Sequence, residues 1–258
     1  MKTRNKKYLI NRRLKAVKTL ILSKSLRKEA LQIIVAFLYK KSLKQPVPST
    51  PLQELIKKNT ICHLFPASLE DGNLSTKEII AISSLIQTNS PKNLLEIGTF
   101  NGLTTLHMAL NTSQEAKVHT LDLSTLEDYP KDALDPEDIK YICHNSKNNK
   151  HYQDTLYNHK IIEHEGNSLT YPFSNFIQED IKIDFIFIDG GHSYQVVKND
   201  TEKSLKILKE NGILIWHDYT PNCPGVFTYL NELSKTHPIL HIDKTTLVYF
   251  KAPKINYD

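Results

Sequence analysis

The chain has 258 residues, 40% of them hydrophobic and 24% charged, with a mean hydropathy of −0.39. That length can bury one full-sized core with an appendage, and the composition excludes a disordered, fibrous or disulfide-scaffolded chain. The net charge of +5 hides an asymmetry: residues 1–44 hold 14 Lys/Arg against one acid, Glu29, and the remainder holds 19 basic and 27 acidic residues.

The first element is therefore a basic arm of +13 ahead of a body of −8. Leu14, Val17 and Ile21, then Leu31, Ile34, Phe37 and Leu38, recur at helical spacing and predict one or two amphipathic helices. The apolar stretch around Ile33–Tyr39 is too short for the ~20 residues of a membrane span, and a small-residue cleavage site is lacking. Four roles stay open for the arm: packing on the body or on a second subunit, lying in a membrane interface, contacting nucleic acid, or organelle targeting. The run QPVPSTP (Gln45–Pro51) reads as a linker, because its prolines stop helices on either side. The expected division is a basic helical extension with its linker over 1–50 and one domain over 51–258. Cys62, Cys143 and Cys223 form neither a CxxC pair nor a zinc-finger spacing, which points to a reducing compartment. The expected location is cytoplasmic, or peripheral at a membrane surface.

Ser75 to Glu78 is a capping box ahead of Ile79, Ile80, Ile82, Leu85 and Ile86, which mark a helix face. Short apolar runs follow at 94–98, 117–123, 160–164, 183–189 and 213–218, each closed by turn or cap residues. Helical patterns over 103–110 and 194–209 lie between them, the second closed by Asn211-Gly212. Apolar strands alternating with helices predict a parallel sheet covered on both faces. The last runs, 237–242 and 245–250, flank Asp243-Lys244 and predict an antiparallel hairpin at the sheet edge. The fold class is thus α/β, a doubly wound Rossmann-like, mostly parallel seven-stranded sheet, with ligands expected at the carboxyl ends of its strands.

The first of those ends reads LLEIGTFNGLT, with Gly98 and Gly102 four apart behind Glu96. Gly98 suits a tight turn, and Gly102 suits a helix starting close to a ligand. Phe100 stands where a dinucleotide fingerprint needs its second glycine, so close approach of a pyrophosphate is disfavoured. A later strand ends in Asp122, twenty residues past Gly102, where a carboxylate can accept both hydroxyls of a ribose. Gly166-Asn167-Ser168 follows the third strand. The strand over 183–189 delivers Asp189 to the sheet edge ahead of Gly190-Gly191-His192, and 213–219 delivers His217 and Asp218. A carboxylate on an otherwise apolar strand needs a partner, and cation binding or proton chemistry is the natural one. His192 has the ordinary near-neutral pKa of a general base. Trp216 reads as strand-end packing.

Glu96-Ile-Gly98-Thr99-Phe100-Asn101-Gly102 resembles motif I of class I S-adenosylmethionine-dependent methyltransferases, in the variant of the catechol-type and sugar O-methyltransferase groups. The resemblance spans roughly residues 70–251. It implies that Glu96, Gly98, Thr99, Phe100, Asn101, Gly102, Asp122, Asn167 and Ser168 hold S-adenosyl-L-methionine. It also implies a divalent ion such as Mg²⁺ at Asp189, His217 and Asp218, with His192 and Asp189 as catalytic residues. His217 departs from all-oxygen magnesium sites, and Tyr219 stands where catechol-type enzymes carry Asn, so metal dependence is left open. The lack of an Asn-Pro-Pro-Tyr run points to oxygen as acceptor, in a sugar or other small hydroxyl substrate. Two other readings remain: an RNA or other nucleic-acid methyltransferase gripping phosphates with the arm, and a non-catalytic relative that keeps the cofactor. The acid-rich 124–158 connection is read as a substrate-facing lid, a dimer contact in a homo-oligomer, or a solvated insertion.

Overall fold

The computed structural model describes residues 47–66, 72–123, 125, 138, 139, 141, 150–177 and 182–254. The basic arm, Cys143-His144, and Asp128, Asp132, Asp135 and Glu137 of the acid-rich connection lie outside the described residues. Among the described residues no helix is long and apolar enough to cross a membrane.

One sheet organises the body. Its strands are β1 (Ser49–Thr50), β2 (Asn93–Ile97), β3 (Lys117–Asp122), β4 (Ile161–Glu165), β5 (Ile183–Ile188), β6 (Leu208–Trp216), β7 (Leu240–Ile242) and β8 (Val248–Lys251). They lie in the order β1-β7-β8-β6-β5-β2-β3-β4. Strands β2 to β6 pair in parallel, while β8 runs antiparallel to both β6 and β7. This is the expected doubly wound sheet with its terminal hairpin. The added eighth strand, β1, lies inside the run read as a linker and pairs in parallel with β7. Val47 beside it is buried and donates its backbone N–H to the Tyr219 hydroxyl at 3.1 Å. Two prolines do not prevent this, because an edge strand needs few ladder donors.

The interior strands are apolar at nearly every position because helices cover both faces. Phe185, Ile186 and Phe187 of β5 and Leu214 and Ile215 of β6 are fully buried. Edge strand β4 is only half-buried and carries charge accordingly. Helix α1 (Thr76–Asn89) starts at the capping box and buries Ile79, Ile82, Leu85 and Ile86 against Phe185, Phe187, Ile213 and Ile215. Each such side chain contributes about 1.5–3 kcal/mol. Helix α2 (Leu103–Leu110) is short, and the Lys160 ammonium caps its end by donating to the Ala109 and Thr112 carbonyls, both at 3.0 Å.

Helix α3 (Tyr194–Ile207) ends earlier than its pattern predicts. Leu208 turns extended to pair with Ile183, and the left-handed Asn211 (φ 59°) falls inside β6. Helix α4 (Pro224–Leu233) was not foreseen, although Pro224 at its first turn and Val226, Phe227, Leu230 and Leu233 at helical spacing mark it. Strand order reverses between β2 and β5, which opens a crevice at their carboxyl ends.

Candidate functional site

A cavity of about 430 Å³ occupies that crevice, lined by the ends of β2, β3, β5 and β6 and the loops after them. Of the residues singled out by sequence, Glu96, Gly98, Thr99, Phe100, Asn101, Asp122, Asn167, Ser168, Asp189, His192, His217 and Asp218 all line it. Gly102 is the exception.

The two glycines answer to different neighbours. Gly98 has φ 91°, and a Cβ there would stand 2.1 Å from the Asp189 carbonyl oxygen. Its absence lets Asp189 donate its backbone N–H to the Ile97 carbonyl at 2.8 Å, closing β5 onto β2. Gly102 (φ 76°) clears space for the Tyr152 ring, which a Cβ would meet at 2.5 Å. In this structure it seats the 150–152 segment over the helix start. Between them Phe100 is itself left-handed (φ 47°), with its ring edge-on to Tyr141 at 5.5 Å. Asn101 accepts from the Leu103 N–H at 3.2 Å and so turns the chain into α2.

Glu96 is 1% exposed and accepts hydrogen bonds from the Thr105 hydroxyl and, at 3.4 Å, from that of Thr120. Thr99 bonds Thr120 in turn. Burial first, then the charges of Asp189 and Asp122, push the carboxyl from its ordinary 4.5 up to about 8 despite the threonines. The folded chain therefore keeps a proton that the unfolded chain gives up above 4.5. The linked stability is whole below that value and drains away as pH rises to about 8. Between about pH 5 and about pH 9 the ligand-free chain is expected to lose more of its melting temperature than Glu96→Gln does. Parallel melting curves for the two would refute this.

Asp122 accepts the Leu123 N–H at 3.1 Å and pairs with the Lys150 ammonium at 3.4 Å. Burial raises its pKa against that cation. Lys150 also donates to the Phe100 carbonyl, so one amine links the glycine loop to the end of β3. Asn167 turns its amide oxygen to the Leu169 N–H at 2.9 Å. The Ser168 carbonyl accepts from Lys203 at 2.6 Å and Asn199 at 3.1 Å, which fixes that wall to α3.

Another part of the cavity lining is a network of acids and imidazoles. Asp218, left-handed at φ 58°, accepts at Oδ2 from His192 Nε2 at 2.8 Å and lies 3.1 Å from His217 Nδ1. His217 Nδ1 is 2.9 Å from Asp189, and its Nε2 is 3.6 Å from Glu78. The other carboxyl oxygen of Glu78 completes the capping box, while Oε1 also accepts from the Thr246 N–H at 2.8 Å. His192 Nδ1 is bonded to the buried carboxylate of Asp138, which also accepts the His192 backbone N–H at 3.2 Å. Burial acts to lower the His192 pKa, but bonds to Asp138 and Asp218 and their charges carry it up to about 11. Burial likewise opposes the His217 cation, and Asp189 and Asp218 overcome it, holding that pKa well above the ordinary value. Two acids thus flank the His192 ring and favour its protonated form, where the sequence suggests a near-neutral base. Trp216 donates to Thr201 at 2.8 Å and packs within the core, as expected.

Sequence reasoning did not single out Asp138, Lys150, Tyr141 or Cys223 as lining or bridging this site, and treated Glu78 as a cap alone. Cys223 stands at the start of α4 and faces the same cavity. The only sequence signal for Asp138 is its place in the acid-rich run 127–138, shared with five other acids.

Residues 95–219 match a family described as a methyltransferase domain. No curated protein matches the chain. Among solved structures, the O-methyltransferase TomG from Streptomyces achromogenes, involved in tomaymycin synthesis and bound to S-adenosylmethionine, is similar with a TM-score of 0.50 and 13% identity over 71% of this chain and 83% of that one. A candidate O-methyltransferase from Klebsiella pneumoniae is similar with a TM-score of 0.50 and 16% identity over 86% of this chain and 97% of that one. At these identities the likeness is one of fold.

Proposed function

We propose that this chain, an S-adenosylmethionine-dependent methyltransferase whose residues 95–219 form the family's domain, transfers the methyl group to a hydroxyl of a small compound, with a sugar as the leading class. The observation that carries this reading is one cavity lined by two chemically different groups: Glu96 and Asp122 in the first, Asp189, His217 and Asp218 in the second. The first group suits a cationic cofactor bearing a ribose diol, and the second suits a hydroxyl that must lose a proton.

Methyl transfer is an in-line displacement at a sulfonium, so the protein mainly aligns donor and acceptor and removes a proton. Asp122 would accept from the ribose hydroxyls, with Lys150 giving way, and Glu96 would face the cofactor's positive charge. Asp189 or His192 would take the hydroxyl proton. Carboxylate and imidazole atoms of Asp189, His217 and Asp218 lie within 4.8 Å of one another, and Glu78 orients the far side of His217. That donor set fits a divalent ion, which would supply Lewis acidity to lower the hydroxyl pKa.

The test is calorimetric titration of S-adenosylmethionine into the purified chain, followed by transfer of a radiolabelled methyl group to a panel of sugars and catechols with and without Mg²⁺ or Mn²⁺. Micromolar-range cofactor binding and label in a hydroxyl product are expected. Absence of cofactor binding under every condition would remove the reading.

A further inference from the structure

Beside the acids at the ends of β5 and β6 lies a second cluster with different chemistry. Ligand atoms of His192, Asp218 and Cys223 lie within 4.8 Å of one another, and all three residues line the cavity. They come from three separate elements: the loop after β5, the end of β6, and the N-cap of α4. The Cys223 side chain makes no capping hydrogen bond to α4. Cys223 is the N-cap of the ten-residue helix α4, which fixes its backbone at the cavity wall.

The imidazole is prepared in a second, independent way. Asp138 holds His192 Nδ1 and the His192 backbone N–H together, so the ring cannot rotate freely and Nε2 points at Asp218. A carboxylate behind one imidazole nitrogen, with the other nitrogen aimed into a cluster of anionic ligands, is how proteins orient a metal-binding histidine. One imidazole, one carboxylate and one thiolate make three protein ligands, with the ion displacing the proton that Nε2 shares with Asp218. Such a set suits a tetrahedral borderline ion of the Zn²⁺ class, and its sulfur disfavours Mg²⁺.

We propose that His192 Nε2, Asp218 Oδ2 and Cys223 Sγ form a thiophilic metal position that takes a Zn²⁺-class ion, adjoining the position described under the proposed function and sharing Asp218 with it. The proposal deepens that reading by naming the metal class of the acceptor end. Whether the ion and the cofactor bind are nevertheless separate questions.

The probe is Co²⁺, which reports its own ligands. Full-length protein, stripped with chelator, is titrated with Co²⁺ and followed by absorption. Expected are visible bands of four-coordinate cobalt and a sulfur-to-cobalt charge-transfer band in the near ultraviolet, saturating at one equivalent, lost on adding Zn²⁺ and retained in excess Mg²⁺. Cys223→Ser should fold with an unchanged circular dichroism spectrum, lose the charge-transfer band and bind Co²⁺ at least roughly tenfold more weakly. Asp189→Asn should keep the band. A wild-type titration without the sulfur band, or a band that survives in Cys223→Ser and so belongs to Cys62 or Cys143, overturns the proposal. Calorimetry with S-adenosylmethionine on the same Cys223→Ser sample separates the two readings. Cofactor binding without the cobalt band in wild type sinks the metal position alone, and a cobalt band without cofactor binding sinks the methyltransferase reading alone.

Discussion

Asp122→Ala is expected to weaken S-adenosylmethionine binding by about 100-fold while the protein stays folded. The carboxylate ends β3 at the rim of the cavity, with its second oxygen 3.4 Å from Lys150. A ribose diol would donate two charge-assisted hydrogen bonds to it, each worth about 1.5–3 kcal/mol. Part of that gain is spent in breaking the Lys150 pair, which leaves a net effect of about 3 kcal/mol, or about two decades in Kd. Asp122→Asn should fall between, because it keeps one acceptor and loses the charge. Calorimetric titration of both variants is the measurement, and an alanine variant within about threefold of wild type would show that the ribose lies elsewhere.

Asp218→Asn is expected to lower methyl transfer by about 10³-fold, with cofactor affinity changed by no more than a few-fold. This one carboxylate touches both imidazoles of the site, His192 at 2.8 Å and His217 at 3.1 Å. Asparagine tolerates the left-handed backbone at φ 58° and matches the shape, so the change removes charge with little strain. A single-turnover assay with labelled cofactor separates the chemical step from binding. Transfer at more than about a tenth of the wild-type rate would take Asp218 out of the chemistry.

The scaffold was legible because the physics that writes it is local. Strands buried on both faces must be apolar throughout, and the capping box and the short runs around Asp243-Lys244 mark turns by their own chemistry. The site was legible where a strand end delivers a residue, as with Glu96, Asp122, Asp189, His217 and Asp218. It was opaque where a residue arrives from a connection without periodicity. Asp138 and Lys150 sit in such a stretch, and no local pattern tells which of its charges reaches the cavity. Helix α4 carries its own signal, independent of the strand ends: Pro224 at the first turn, then Val226, Phe227, Leu230 and Leu233 at helical spacing. The protonation of His192 was out of reach too, since it depends on two acids 54 and 26 residues away in sequence.

The buried carboxyl of Glu96 has a consequence for turnover. S-adenosylmethionine carries a net positive charge that its demethylated product lacks. An arriving cationic donor would favour expulsion of the Glu96 proton, and after transfer a neutral thioether would face a carboxyl enclosed among threonine hydroxyls and apolar walls. Regaining a proton there would relieve the buried charge and weaken the pocket's hold on the sulfur of the spent cofactor.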